Sequence, residues 1–146
     1  MKKFRYSMQS ILNVKYRLED QAKSEFALAV AKHQEEVERE EQMKLQKAAY
    51  EQELKDRMLD KLDFREIAIT KAGIRFMEDQ IRRQKRVVAM AEHEVEAARE
   101  KLSGLMIERK TQEKLRDHAF DRYKKELSAE EMKEIDELVS FRFNHQ

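Results

Sequence analysis

Four histidines, His33, His93, His118 and His145, are the side chains best suited to ligate a metal or shuttle a proton, and the sequence scatters them. No His-Glu-x-x-His or comparable ligand spacing occurs, and the residue four positions after His33 is Val37. Serines are few and none stands in a nucleophile-elbow context. The two glycines, Gly73 and Gly104, lie far apart inside helical pattern, so there is no phosphate-cradling loop. Carboxylate pairs such as Glu78-Asp79 abound, but acid–base chemistry needs burial to drive two pKa values apart, and a solvated face does not do that. The expectation is a non-enzyme: no catalytic residue, no metal, no cofactor and no small-molecule ligand.

What remains to be positioned is therefore surface, and composition says what carries it. Pro, Cys and Trp are absent, glycines number two, and 42% of residues are charged, with 31 basic against 30 acidic. So charged a chain would read as disordered, were it not for a regular apolar repeat and an excess of strong helix formers. Lack of Cys excludes disulfides and thiolate metal sites and suits a reducing compartment. No apolar run approaches the roughly 18 residues of a membrane span, and Met1-Lys2-Lys3-Phe4-Arg5-Tyr6 lacks the apolar core of a signal peptide. A soluble, cytoplasmic, almost wholly helical protein is expected.

The repeat is clearest between Ile67 and Leu105. Ile67, Ile74, Ile81, Val88, Val95 and Leu102 recur every seventh residue, each followed three later by Thr70, Met77, Gln84, Ala91, Ala98 or Leu105. A sustained seven-residue step keeps one narrow seam facing a partner helix, the pattern of a coiled coil. Upstream, Leu18, Ala22, Phe26, Val30, His33 and Val37 follow steps of three and four, with His33 read as a seam histidine. Beyond Val37 the apolar pattern drifts through Leu45, Ala48, Leu54, Met58 and Leu62, and a local relaxation of the supercoil is expected.

One place invites a turn. Asp63, with Glu66 three residues on, has the spacing of a helix N-cap, so the second helix should start at Phe64 after a turn near 62–63. Folding back there pairs residues whose numbers sum to roughly 124, which sets Glu35, Glu36, Glu38, Glu40 and Glu41 beside Arg82, Arg83, Lys85 and Arg86. The fold class expected is all-α: two long helices, about 7–61 and 64–140, forming an antiparallel coiled-coil hairpin, a single rod over 1–146. Ser128, with Glu131 three later, has the capping spacing too and marks a candidate break in the second helix.

Three stretches stand out as partner surfaces. Residues 2–17 are basic and aromatic, with no acidic residue, although overall neutrality argues against nucleic acid. The last twenty or so residues overhang the start of the first helix and carry Met132, Ile135, Leu138, Val139, Phe141 and Phe143 among acids, an apolar tail that wants a partner. Midway, Tyr50 and Phe76 are large aromatics, Phe76 lying off the seam beside Met77.

The ends also carry a resemblance. Phe4-Arg5-Tyr6-Ser7-Met8-Gln9-Ser10-Ile11-Leu12 resembles the Phe-x-Phe…Leu start of the flagellar export protein FliJ family. Glu113-Lys114-Leu115-Arg116 is similar to its Glu-x-Leu-Arg stretch, Tyr123 follows at the family's distance, and Glu131-Met132-Lys133-Glu134-Ile135-Asp136-Glu137 resembles its Glu-x-Lys-x-Leu-Asp-Glu signature, with Ile135 where Leu is commoner. The resemblance spans nearly the whole chain. It implies a small cytoplasmic part of the flagellar type III export apparatus, peripheral to the cell membrane, whose hairpin is like the central stalk (gamma) subunit of rotary ATPases. The partners it implies are the hexameric export ATPase, the membrane export gate and export chaperones. Carried onto this chain, ATPase contact falls on Phe4, Arg5, Tyr6, Met8, Ile11, Leu12, Tyr123, Leu138 and Phe141, and gate contact on Tyr50, Ile74, Phe76, Met77 and Ile81.

Two other classes fit parts of the pattern. A structural coiled coil that homodimerises without an ATPase would use the same seam, but a parallel dimer would set each charged cluster against its own copy. A membrane-surface binder using residues 2–17 would bind anionic vesicles with strong salt dependence.

Overall fold

A computed structural model of the chain describes residues 3–61 and 63–144, with side chains through Arg142; Leu62 and His145 lie outside the described residues, as does the side chain of Phe143. The fold is all-α, with two helices, α1 (Gln9–Leu59) and α2 (Phe64–Asn144), and no strand among the described residues. Among the described residues, no helix is long and apolar enough to cross a membrane. Contacts group the chain into two units, Ala22–Lys101 and Met1–Gln21 with Leu102–Gln146.

In the unit 22–101, α1 turns into α2 as the capping residue requires. Asp63 Oδ1 accepts from the amides of Arg65 (3.0 Å) and Glu66 (3.4 Å), two of the amides a helix start leaves without partners. Glu66 does not reach back to complete a capping box; its carboxylate takes the Arg57 guanidinium across the turn instead. Lys47–Glu78 and Glu25–Lys101 ion pairs join the antiparallel helices farther along.

The seam follows the heptads expected on α2: Ile67, Thr70, Met77, Ile81, Gln84 and Ala91 are buried, with Ile74, Val88, Val95 and Ala98 half-buried between them. On α1 the expected drift does not occur. Covered positions continue in the same seven-residue step through Phe26, His33, Glu36, Glu40, Met43, Lys47, Tyr50 and Leu54, whereas Leu45 and Met58 are exposed. The register holds and only its occupants become polar. Long side chains tolerate this because their methylenes cover the seam while their charged ends reach solvent or a partner.

The most enclosed of these polar residues is Glu36. Gln84 donates to its backbone carbonyl (2.9 Å) and to its carboxylate (2.6 Å), and Arg39 adds an ion pair (3.0 Å). That contact keeps the expected register, since 36 and 84 sum to 120, but the charge pairing expected across it does not form. Among the described residues no ion pair links the 35–41 acids to the 82–86 bases: Arg39 and Lys44 pair within α1, and Arg82 and Arg83 pair with Asp79 within α2. Intrahelical neighbours at three and four positions are closer than residues across the seam, so they take the charges first.

In the other unit, α2 runs through Ser128 without a break. Serine and alanine at 128–129 are compatible with helix interior, and no proline or glycine forces a stop. Here Leu12 is the largest fully buried side chain, and Glu19 is only 3% exposed. Arg109 holds Glu19 bidentately through Nε (2.6 Å) and Nη2 (3.1 Å) and reaches Glu113 as well (3.2 Å). Such a pair needs all its lone pairs satisfied to be tolerated in a covered seam, and every buried side-chain polar atom described has a partner.

Candidate partner-binding surfaces

The unit that holds both chain ends presents its first residues on α2 through rings. Phe4 packs edge-on against Phe120 (5.0 Å between centroids) and tilted against Tyr123 (5.5 Å), and Lys124 lies over the Phe120 ring at 4.9 Å. Tyr6 donates to Gln112 Oε1 (3.0 Å). These contacts fix the entry of α1, whose first amides are met by turns, Gln9 N to Tyr6 O and Leu12 N to Met8 O. Phe120 is a member of this cluster that heptad reading passed over; its place beside the Phe-x-Phe start could have been read from the hairpin register alone.

Tyr16 extends the polar network. Its hydroxyl donates to Glu113 at 2.6 Å. That bond holds the tyrosine hydroxyl above its ordinary pKa, with burial adding to the rise. The same bond holds the Glu113 carboxyl below the usual carboxylate range, with Arg109 assisting against desolvation. Arg109 is pushed further up by its bond to Glu19. All three shifts favour the bonded form seen, so the network is charge-assisted rather than poised to exchange protons.

Of the residues expected at an ATPase contact, Arg5, Met8, Ile11, Leu138 and Phe141 are exposed, while Phe4, Tyr6 and Tyr123 are half-buried in the contacts just described. Leu12 is core. It occupies a seam position facing α2 and offers no surface, a correction that follows from its place in the heptad. Met132, Ile135, Leu138 and Val139 stand 58–63% exposed on the last turns of α2, beyond the start of α1.

In the unit 22–101 the expected gate residues separate. Met77 and Ile81 are buried in the seam and Ile74 is half-buried, so they pack against α1 instead of facing outward. Phe76 is 61% exposed. It belongs to a second stripe on α2, Ile69, Gly73, Phe76, Gln80, Arg83, Val87 and Met90, in alternating steps of four and three. Its four large apolar members, Ile69, Phe76, Val87 and Met90, are all exposed. Tyr50 flanks it, half-buried, with Ile69, Thr70 and Gly73 completing a shallow hollow. Counting from Ile69 rather than Ile67 would have found the stripe in the sequence; the stronger seam beside it masked the signal.

Among the described residues, no group of three or more His, Asp or Glu is arranged to hold a metal. The class of protein this defines is a helix-pair scaffold with apolar side chains exposed in stripes along its surface. Its sequence matches the family model for the flagellar FliJ protein over residues 4–146, and the chain belongs to that family. Membership makes it a component related to flagellar export. Comparison with curated proteins and with solved structures returned no match.

Proposed function

We propose that this chain is a non-catalytic coupling subunit of the flagellar type III export apparatus. The unit bearing both chain ends binds in the hexameric ring of the export ATPase and promotes its assembly or activity. The α2 stripe Ile69–Phe76–Val87–Met90, with Tyr50 at its flank, contacts the membrane export gate from the cytoplasmic side, where the chain is peripherally associated. Export chaperones are further partners implied by the family, without residues attached to them.

The observation that carries this reading is the pairing of family membership with large apolar side chains left exposed on a surface otherwise crowded with charge. Such stripes are the usual anchors of protein interfaces. Coupling through them needs no site inside the scaffold. A helix pair biases an asymmetric ring only through contacts that differ among the conformations of its subunits. The network of Tyr16, Glu19, Arg109 and Glu113 supports this by holding the helices of that unit in one register.

The test is light scattering of the chain mixed with the export ATPase. One chain per ring of six supports the reading. A chain that stays apart from the ATPase at every ratio overturns it and leaves the structural coiled coil in its place.

A further inference from the structure

The tail of α2 and the first turns of α1 are complementary in three respects. The tail carries Met132, Ile135 and Val139 on one face, and α1 carries Ile11, Val14 and Leu18 on one of its own, both in steps of three then four. All six are exposed. Charge is opposite: Glu130, Glu131, Glu134, Asp136 and Glu137 crowd the tail against Lys133 and Arg142, while residues 3–17 hold Lys3, Arg5, Lys15 and Arg17 and no acid. Finally, these charges are unspent. Lys15 is paired with Glu108, but among the described residues neither Arg5, Arg17 nor the five tail acids makes an ion pair, and the last pair along α2 is Lys124–Asp121.

A continuous α2 cannot bend its tail back onto its own α1. We propose that the occupant of the tail is a second copy of this chain: two copies pair about a twofold axis, each laying its α2 tail along the Ile11–Val14–Leu18 face of the other. The register closes. Lys15–Glu108 and Tyr16–Glu113 set Val14 near residue 110 of its own α2. Aligning Ile135 of one copy with Val14 of the other therefore puts the twofold at roughly residue 122, and both tails dock at once, as an isologous contact demands. Each apolar side chain brings on the order of 100 Å². Doubled by symmetry, tails and faces clear the roughly 1,000 Å² of a stable interface. Tail against tail is disfavoured, because it opposes acid to acid.

If this end also enters the ATPase ring, as proposed above, the two associations exclude each other, and the dimer is a form in which the end is covered. The self-association is tested without the ATPase and so stands or falls apart from that reading.

The experiment is sedimentation velocity of the full chain over a wide concentration range at low and high salt. A reversible monomer–dimer equilibrium is expected, weakening about tenfold or more on raising salt, with Val139→Asp abolishing it. Charge inversion makes the test specific. A chain with Glu130→Lys, Glu134→Lys and Glu137→Lys, and another with Arg5→Glu and Arg17→Glu, should each be monomeric. Their mixture should restore a one-to-one dimer, since both contacts are then attractive. All these positions are exposed, and circular dichroism verifies the fold. A chain monomeric at every concentration overturns the proposal. So does a dimer indifferent to these changes, or a mixture that stays monomeric.

Discussion

Met77 and Phe76 are neighbours in sequence with opposite surroundings, and truncating each in turn measures where the seam runs. Met77 is 5% exposed, Phe76 61%. Met77→Ala forfeits the burial of a nearly covered side chain and leaves a gap, a loss of about 2–5 kcal/mol in a packed core. A seam between only two helices lets water and neighbours close part of that gap, so the lower half of the range, about 2–3 kcal/mol, is expected. Phe76 has two-fifths of its surface covered, worth about 1 kcal/mol, and alanine returns about 0.5 kcal/mol through better helix propensity. The net cost of Phe76→Ala is then about 0.5 kcal/mol. For a chain of this size these figures correspond to falls of roughly 5–10 °C and under roughly 2 °C in Tm. Urea and thermal unfolding followed by circular dichroism read both. Equal costs for the two variants would refute the seam as drawn. On the functional side, Phe76→Ala should weaken capture by the cytoplasmic part of the export gate while leaving stability near that of the parent.

Gly104→Ala should raise stability by about 1 kcal/mol, since an added Cβ meets nothing within 4 Å and the helix gains an alanine; chemical denaturation checks it. Glu113, with its pKa lowered in the fold, stabilises above the unfolded carboxylate pKa, and that contribution disappears as pH falls through the lower folded value. Glu113→Gln should therefore flatten the acid limb of a stability–pH curve. Tyr16, with its pKa raised, stabilises below the unfolded value of 10.0 and loses that contribution as pH rises through the higher folded value, so Tyr16→Phe should flatten the alkaline limb. Ile81→Asp with Val88→Asp puts carboxylates into the seam, which should cost several kcal/mol and abolish stimulation of export. Normal helicity with normal export would count against the coupling role.

Sequence carried the second helix well because its seam from Ile67 to Leu105 is filled mainly by apolar residues at the seventh positions, and hydrophobic spacing is what a reader can count. The turn was legible for a similar reason: Asp63 at a capping position has a specific bonding role, and its carboxylate fulfils it. The middle of α1 was not legible. Its covered positions at Glu36, Glu40 and Lys47 are charged, and the nearby apolar Leu45 and Met58 point away, so counting hydrophobes followed the wrong face. Pairing inferred from charge clusters failed because helical neighbours such as Asp79 for Arg82 and Arg83 are nearer than anything across the seam. The partner surfaces were half legible. The exposed tail follows from hairpin arithmetic, whereas separating Phe76 from Met77 and Ile81, or Ile11 from Leu12, needs burial that composition does not give.

The most direct measurement of the coupling account uses the absence of Cys from the sequence. A single cysteine in place of Ser10, beside the start of α1, or of Asp60, after the end of α1, carries a photo-crosslinker into a mixture with the assembled export ATPase. Crosslinks to the ATPase from position 10 and not from position 60 are the predicted result. Crosslinks from position 60 with none from position 10 would contradict the account.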